Sequence, residues 1–449
     1  MRHLPAGTLG RGIAARERYR LVAALLAGGD SRLSVDLYGV NKYLCRPLPA
    51  PAMACLSSCT ASPISEVGFR WAAAAFEHIA LAPKALELDR IEACETATVL
   101  AIRDYLGLNQ CDHVMLTASG TDGMLLAACL LALEGGGRPM TAILPSLSET
   151  GTGVPLAASC CVYDGPNAGR SLVGVSVNTE HVALRGPDGM PREAGAVAED
   201  FDGAIRSARG RPVVIFTYGT KTGLVAPVEV TAGVDVIVDA CQLRLPAHKI
   251  REYLRLGWPV VITGSKFLGG PAFSGAVLVP SSRFSESLRS EAYAVCARFG
   301  GGYSADTIGP LLRWSAALSI LEKPALQEVD IEEGVKRLET DALATVGALP
   351  GARVIERPIG CPGIVTFAVE AAGRPGSWLG ITDLRVIYRG LADQEVLVGQ
   401  PVDLGPFAGL RVAVGMRDVA SGSIEPSLRR LAEAWPLSLG KGAARAEAA

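Results

Sequence analysis

Residues 234–242 predict a short buried strand that ends in polar side chains: Val234-Asp235-Val236-Ile237-Val238-Asp239-Ala240-Cys241-Gln242. Apart from Asp235, the run up to Val238 is β-branched and apolar, which is typical of a strand covered on both faces. Asp239 follows directly, and a carboxylate in such surroundings costs roughly several kcal/mol unless a cation pairs with it. Asp239 is therefore a candidate site residue, and the alternative is an N-cap of the next helix.

The same pattern continues on both sides, from about residue 112 to about residue 280. Apolar runs alternate with helical stretches, as they do in an α/β domain whose mostly parallel strands are buried by crossover helices. The predicted strands are Val114–Thr117, Leu172–Val177, Pro212–Thr217, Val234–Val238, Pro259–Thr263 and Gly275–Val279. The predicted helices between them include Met124–Leu133, Ala198–Ala208 and Lys249–Leu256.

Composition divides the whole chain into four parts. Residues 1–65 are rich in Pro, Ser and Gly and predict an irregular N-terminal arm. A large α/β domain is predicted for residues 66–320, beginning with helices, and a smaller α+β domain for residues 321–438. Residues 439–449 carry little that a core could bury, so they predict a disordered tail.

Charge and cysteine usage limit the class of protein. The net charge of −2 provides no field for nucleic acid or for an anionic membrane, and 49% hydrophobic with 20% charged residues indicates a globular chain. Eleven scattered cysteines favour reduced thiols in a cytoplasmic protein. The five histidines lack the spacing of a metal site, and the apolar run at residues 21–26 is too short to span a bilayer. No metal, nucleic-acid or membrane partner is therefore expected.

A second candidate site follows the strand at Val114–Leu116. The sequence Thr117-Ala118-Ser119-Gly120-Thr121-Asp122-Gly123 joins a strand end, a glycine turn and a helix start. Free backbone N–H groups and the positive end of the helix dipole meet at such a point, which suits a phosphate. Ordinary N-capping by Ser119 or Thr121 is the alternative.

The third candidate is a lysine behind a buried strand. Val260-Val261-Ile262-Thr263-Gly264-Ser265-Lys266-Phe267-Leu268-Gly269-Gly270 places Lys266 between hydroxyl groups and a Gly-Gly turn. In partly apolar surroundings a lysine has a lowered pKa and forms Schiff bases with aldehydes. A solvated loop lysine is the alternative.

The order of these three segments, with Lys266 following Asp239 by 27 residues, resembles the class V aminotransferases, a family of fold type I pyridoxal 5'-phosphate (PLP) enzymes that includes the cysteine desulfurases. The resemblance implies a large mostly parallel-sheet domain, a smaller α+β C-terminal domain and PLP as cofactor. It is clearest over residues 60–320. It also implies an amino-acid substrate that forms an external aldimine and loses its Cα proton, with transamination as the usual outcome.

The resemblance also implies a role for each candidate residue. Lys266 would bind the cofactor aldehyde and move the Cα proton, Asp239 would pair with the ring nitrogen, and Gln242 would bind the ring hydroxyl. The expected phosphate ligands are Gly120, Thr121, Asp122, Thr263 and Ser265. Thr307, in the glycine-rich loop 300–307, is expected to reach the phosphate of the neighbouring subunit in a homodimer, with a flexible connector as the alternative.

Substrate recognition rests on fewer residues. Arg411 resembles the family arginine that binds the substrate α-carboxylate, although a surface salt bridge is an alternative. Asn41 and Tyr43 are expected to line the site or to serve the structure. Thr150 occupies the position of the aromatic residue that stacks on the cofactor in the family, and the space so left could admit a large second substrate.

One departure from the family restricts the reaction. Val398 stands where the desulfurases have their nucleophilic cysteine, so a persulfide mechanism is not expected. The alternatives to transamination are then PLP-dependent elimination, replacement or carbon–carbon bond formation. A cofactor-free lysine aldolase and a non-catalytic binding protein are further alternatives, but neither requires Lys266, Asp239, Gln242 and an anion site together.

Overall fold

A computed structural model of the chain describes residues 15–80, 84–227, 229–230, 233–297, 308–371, 374 and 376–446. These residues form two separate β-sheets with helices packed around them. The helices are α1 Ala15–Leu26, α2 Glu66–Ala80, α3 Glu87–Leu106, α4 Gly120–Glu134, α5 Val154–Ala158, α6 Ala194–Ser207, α7 Ala247–Arg255, α8 Glu286–Ala297, α9 Gly309–Leu318, α10 Ala325–Glu328, α11 Ile331–Ala348, α12 Ile381–Asp393, α13 Met416–Ser421 and α14 Glu425–Ala446.

The strands divide between the sheets according to sequence region. The large sheet contains β2 His113–Thr117, β3 Met140–Pro145, β4 Val177–Val182, β5 Arg211–Tyr218, β6 Val225–Ala226, β7 Asp235–Ala240, β8 Val260–Thr263 and β9 Gly275–Val279. The small sheet contains β1 Ala54–Leu56, β10 Ala352–Val354, β11 Ile364–Val369, β12 Val396–Asp403 and β13 Ala408–Ala413.

The large sheet has the order β2-β9-β8-β7-β5-β3-β4, and β6 pairs with β5. The neighbours among β8, β7, β5, β3 and β4 are parallel, and β9 is antiparallel to β2 and β8. Helix α4 packs against this sheet with nearly every residue from Thr121 to Ala132 buried, because its sequence is apolar around its whole circumference. The sheet is thus mostly parallel, as predicted.

The small sheet brings the N-terminal segment and the C-terminal region together. Its order is β1-β12-β13-β11-β10, with Ala54 opposite Val396 in a parallel pair and the other pairs antiparallel. The described part of the predicted irregular arm therefore includes helix α1 and the paired strand β1, and Tyr43, which lies between them in sequence, packs against the hydrophobic core.

Three predicted elements differ from the structure. The strand predicted at 172–177 begins only at Val177, because β4 is a partly exposed strand with polar residues and not a continuous apolar run. Strand β3, which is fully buried between β4 and β5, was not predicted. The predicted disordered tail is helical up to Ala446, as the continuation of α14. Of the helices in the described residues, none combines the length and the apolarity needed to cross a membrane.

Candidate active site

Three strand ends of the large sheet meet at one cavity. Thr217 of β5 lies opposite Asp239 of β7, and Asp239 lies opposite Val261 of β8, so these parallel strands end side by side. The cavity beyond them has a volume of about 1010 Å³, and both Asp239 and Lys266 line it. The parallel pairing thus brings the predicted carboxylate and the predicted lysine to the same site.

Helix α4 begins at the wall of this cavity. Ser119 is its N-cap, and the Ser119 hydroxyl accepts a hydrogen bond from the Asp122 amide at 3.3 Å. At Gly120 a β-carbon would come within 2.6 Å of the Cys241 Sγ and 2.9 Å of the Thr263 Cγ2, so the strand ends pack directly on the helix start. Gly120 and Thr121 line the cavity, which places free N–H groups of the first helical turn beside it.

Asp122, in contrast, does not line the cavity. Its carboxylate accepts hydrogen bonds from the Tyr163 hydroxyl at 2.6 Å and the Ser119 hydroxyl at 2.7 Å. Burial raises the pKa of this carboxyl to about 6, against the opposing effect of the two hydrogen bonds. We therefore infer that Asp122 supports the first turn of α4. Contrary to the expectation from the sequence, its carboxylate is not placed as a phosphate ligand.

Two hydrogen bonds hold the turn that follows β7. Asp239 Oδ1 accepts one from the Cys241 amide at 3.1 Å, and the Thr263 hydroxyl donates one to the Cys241 carbonyl at 2.7 Å. Thr263 and Ser265 both line the cavity, but the proton of Thr263 is used to link β8 to the turn, and no described residue accepts a hydrogen bond from the Ser265 hydroxyl. Of the two hydroxyls expected to bind phosphate, Ser265 is the better placed.

Three buried oxygens on the cavity wall have no hydrogen-bond partner among the described residues. They are Thr150 Oγ1, Thr217 Oγ1 and Gln242 Oε1. The amide nitrogen of Gln242 donates to the Cys59 carbonyl at 3.1 Å, so its orientation is fixed and its oxygen points elsewhere. Because a buried polar atom without a partner costs about 1–3 kcal/mol, these oxygens indicate a polar ligand.

Arg411 lies on the opposite wall, on β13. Its guanidinium donates to the Gln400 carbonyl at 2.5 Å, to the Lys221 carbonyl at 2.7 Å and to the Thr60 hydroxyl at 2.9 Å. Arg411 is buried and makes no ion pair with any described residue, so the alternative of a surface salt bridge does not hold there. A buried cation held by neutral oxygens beside a cavity is suited to an incoming carboxylate.

Lys221 provides a second amine near Arg411. Its Nζ donates to the Leu147 carbonyl at 2.8 Å. Burial, followed by the charge of Arg411, lowers the pKa of Lys221 to about 8, and Glu149 opposes this shift. Three lysines therefore line the cavity, Lys42, Lys221 and Lys266, and only Lys266 was predicted to act in catalysis.

Glu149 anchors the loop that carries Thr150. Its carboxylate pairs with Arg185 at 2.6 Å and accepts hydrogen bonds from the hydroxyls of Thr220 and Thr222 at 2.7 and 2.8 Å. All four residues are buried, so the loop from 147 to 152 is fixed against the segment that follows β5. This arrangement orients Thr150 towards the cavity.

The two residues predicted from the N-terminal arm differ in position. Tyr43 lines the cavity, and its carbonyl accepts a hydrogen bond from the Tyr388 hydroxyl at 3.0 Å. Asn41 does not line the cavity, because its side-chain oxygen accepts hydrogen bonds from the amides of Tyr43 and Cys45 and so closes a local turn. Thr307 lies outside the described residues.

Sequence reasoning missed two thiols and two exposed arginines on the cavity wall. Cys59 and Cys241 both line it, although they lie far apart in the sequence and no motif connects them. Burial and the nearby charge of Asp239 hold the pKa of the Cys241 thiol well above its usual value, so that thiol stays protonated. The missed arginines are Arg385 and Arg389, whereas Lys42, which also lines the cavity, belongs to the run 41–43 that was expected to line the site or to serve the structure. The spacing of the two arginines, four residues apart on α12, was the available signal.

No model of a known protein family matches this sequence, and no curated protein matches it. Solved structures do. A variant of C-DES with glycine covalently linked to its PLP cofactor is 15% identical, with a TM-score of 0.56 over 85% of this chain and 96% of its own. The complex of the cystine C-S lyase C-DES with its product cysteine persulfide is also 15% identical, with a TM-score of 0.56 over 85% and 97%. The cysteine desulfurase CsdA from Escherichia coli is 15% identical, with a TM-score of 0.53 over 86% and 95%.

The chain shares the fold of these enzymes. The predicted fold class, fold type I with a large mostly parallel-sheet domain and a smaller α+β domain, is therefore confirmed. At 15% identity the similarity concerns the fold, and the chemistry of this chain has to be argued from its own residues.

Proposed function

We propose that this chain is a PLP-dependent enzyme that acts at the Cα of an amino acid. The observation that carries the proposal is that Lys266 and Asp239 line one cavity together with the start of helix α4. The similar solved structures described as a C-S lyase and a cysteine desulfurase support it, and one of them holds PLP.

The residues present fit this cofactor. The first turn of α4 at Gly120 and Thr121, with the Ser265 hydroxyl, offers donors for a phosphate. Asp239 offers a carboxylate for a protonated ring nitrogen, and the unpartnered Gln242 Oε1 offers an acceptor for a ring hydroxyl. When bound, PLP would supply an electron sink for the bonds at the substrate Cα.

The other residues of the chain provide binding and proton transfer. Arg411 binds the substrate α-carboxylate through the guanidinium that neutral oxygens already orient. The Lys266 amine accepts the Cα proton and returns it to carbon, which requires the neutral amine at that moment. Tyr43 closes the cavity on the N-terminal side.

Within this proposal we assign transamination as the reaction. It requires the lysine, the ring carboxylate and the carboxylate-binding arginine, all of which line the cavity. The second candidate is elimination with release of a sulfur leaving group, which the C-S lyase among the similar structures favours.

A persulfide on a cysteine of this chain is not part of the proposal. Val398 is fully buried in β12 and offers no thiol. The two cysteines that do line the cavity are Cys59, which is buried, and Cys241, whose pKa is raised. Because the thiolate is the nucleophilic form, a protonated Cys241 would react slowly.

The decisive experiment is a visible absorption spectrum of the purified protein after addition of PLP. Wild type is expected to gain a band, and Lys266→Ala is expected to lack the lysine-bound form of it. Borohydride reduction and peptide mass spectrometry should then locate a phosphopyridoxyl group on Lys266. Lys323→Ala, an exposed lysine that does not line the cavity, is the matched control and should behave as wild type. Absence of any band in wild type would refute the proposal.

A second experiment separates the reactions. The holoenzyme is incubated with single amino acids, with and without a 2-oxo acid. Amino transfer that depends on the oxo acid supports transamination, whereas release of thiol or sulfide without an acceptor supports the lyase. Cys59→Ala and Cys241→Ala should retain activity in both cases. Loss of sulfur release in either variant would instead assign a nucleophilic thiol.

The homodimer and the cytoplasmic location that we expect from the sequence remain predictions. Light scattering of the holoenzyme tests the first, and a dimeric mass is the expected result.

A further inference from the structure

The mouth of the cavity carries three cations on two separate segments. Arg385 and Arg389 lie four residues apart on α12, so they occupy one face of the helix, and Lys42 comes from the N-terminal segment. We call these three residues the cationic rim. All three side chains are exposed to solvent and line the same cavity as Lys266.

Hydrogen bonds fix the two segments of the rim relative to each other. The Tyr388 hydroxyl, on the same helix as both arginines, donates to the Tyr43 carbonyl at 3.0 Å. The Gln400 amide nitrogen donates to the Lys42 carbonyl at 2.7 Å. Hydrogen bonds therefore hold the backbone that carries Lys42 to both α12 and β12. The fold thus fixes the position of this segment relative to the two arginines.

The rim has no counter-charge within the described part of the chain. None of its three side chains forms an ion pair or a hydrogen bond there. Like charges four residues apart disfavour a helix, so the arginine pair has a cost that an anion would remove. The cavity wall carries seven cationic side chains but only three carboxylates.

None of those three carboxylates forms an ion pair with the rim. Glu149 is buried in its pair with Arg185, and Asp239 lies at the strand ends. Asp403 is exposed and accepts a hydrogen bond from the Gly405 amide at 3.1 Å. Burial is the main cause of the lowered pKa of Lys221, and the charges of Arg411, Lys42 and Lys266 lower it further, which reflects the same excess of positive charge.

We propose that the amino-acid substrate carries a second anionic group at the end of its side chain, and that the cationic rim binds it. This inference rests on the proposed function, in which Arg411 already takes the α-carboxylate. The rim is then the specificity-determining element, and the substrate class is that of amino acids with a side-chain carboxylate, phosphate or sulfonate. A neutral side chain would leave the three cations without a partner.

The first test compares isosteric substrates with the holoenzyme. Glutamate is paired with glutamine and aspartate with asparagine, while O-phosphoserine and cysteate distinguish phosphate and sulfonate from carboxylate. We expect kcat/KM for the preferred anionic substrate to exceed that of its neutral isostere by about tenfold or more, as one charge-assisted hydrogen bond provides. The double variant Arg385→Gln/Arg389→Gln should lose most of this preference, and the loss should appear as a higher KM for the anionic substrate.

The matched control is Arg206→Gln/Arg209→Gln, which removes the same charge from an exposed surface that does not line the cavity. If both double variants lose the preference equally, general electrostatics accounts for it and the rim has no specific role. If neutral isosteres react as well as anionic ones in wild type, the proposal is overturned.

The second test does not depend on turnover. Calorimetry on the protein as purified compares succinate, glutarate and adipate with butyrate, which has only one carboxylate. At least one diacid should bind about tenfold more tightly than butyrate in wild type and equally weakly in the rim variant. If the protein gains the PLP band but binds all four acids with the same affinity, the role of the rim in binding a second anionic group is refuted and the proposed function still stands. A protein without the band fails on the proposed function itself.

Discussion

The two sides of the cavity satisfy their polar groups in different ways. The floor, formed by the ends of β5, β7 and β8 with the start of α4, is buried and holds two of the three oxygens without partners, while the third belongs to Thr150 on the adjoining loop. The roof, formed by the N-terminal segment, α12, β12 and β13, carries Lys42, Arg385, Arg389 and Arg411, none of which forms an ion pair with a described residue. Buried unpartnered oxygens suit one ligand of fixed shape, while exposed cations suit a ligand that enters and leaves. We therefore assign the floor to the cofactor and the roof to the substrate.

The largest expected effect concerns the side wall that supports the floor. Arg185→Met would leave the buried Glu149 carboxylate without its 2.6 Å partner. Breaking a buried ion pair costs about 3–5 kcal/mol of unfolding free energy. Denaturant unfolding measures this loss, with Arg192→Met as control, since its pair with Asp200 is partly exposed and should cost at most about 1 kcal/mol. Equal losses would show that the Glu149 network does not support the wall.

The second-largest expected effect tests whether Arg411, on the roof, acts on the substrate and not on the cofactor. Arg411→Gln should raise KM for the amino acid by about 30- to 160-fold, because one charged hydrogen-bonding group contributes roughly 2–3 kcal/mol. Arg411→Lys should recover part of the loss, since lysine keeps the charge without the planar fork. PLP affinity, followed by the absorption band, should stay close to wild type. A variant that loses PLP but keeps KM would place Arg411 on the cofactor side and invalidate the assignment.

A smaller effect is expected at the floor itself. In Gly120→Ala the new β-carbon would lie 2.6 Å from the Cys241 Sγ and 2.9 Å from the Thr263 Cγ2. Overpacking of this kind costs about 1–3 kcal/mol, and we expect PLP affinity to fall about tenfold while KM changes little. Gly203→Ala in α6, where a β-carbon meets no atom within 4 Å, is the control and should be neutral or stabilising by about 0.4–1 kcal/mol. An unchanged PLP affinity in Gly120→Ala would mean that the cofactor does not approach α4.

The floor was largely predictable from sequence because its residues follow buried strands. Runs of Val and Ile ended at Asp239 and shortly before Lys266, and parallel strands place their carboxyl ends on one edge. Strand β3 was missed although it is equally buried, and β4 was misplaced because an edge strand carries polar residues. Continuous apolar runs therefore identify central strands better than edge strands.

The roof was much less predictable because its chemistry depends on contacts between distant segments. Arg385 and Arg389 look like any solvated helix face until α12 is packed against β12 and β13. Asn41 and Asp122 were assigned to the site from their position in sequence, but hydrogen bonds within a turn and to Tyr163 direct their side chains elsewhere. The direction of a polar side chain is decided by its partners, and these are not visible in one sequence.

The smallest expected effect is a pH dependence within the roof. Burial and the charge of Arg411 lower the pKa of Lys221 to about 8, so Lys221 is cationic below that pH and neutral above it. Affinity for butyrate should therefore fall about two- to fivefold as the pH rises through about 8, as a partly screened charge pair predicts. Calorimetric titration with butyrate below and above this pH measures the change in affinity.

Two variants decide whether Lys221 is the titrating group. Lys221→Arg stays cationic and should keep the tighter affinity on both sides of about pH 8, whereas Lys221→Met should show the weaker affinity throughout. Burial raises the pKa of Tyr43 above its usual value and holds that of Cys241 well above its own, so neither should titrate in this range. If Lys221→Arg retains the wild-type inflection, Lys221 is not the titrating group, and the pH dependence that we assign to it is refuted.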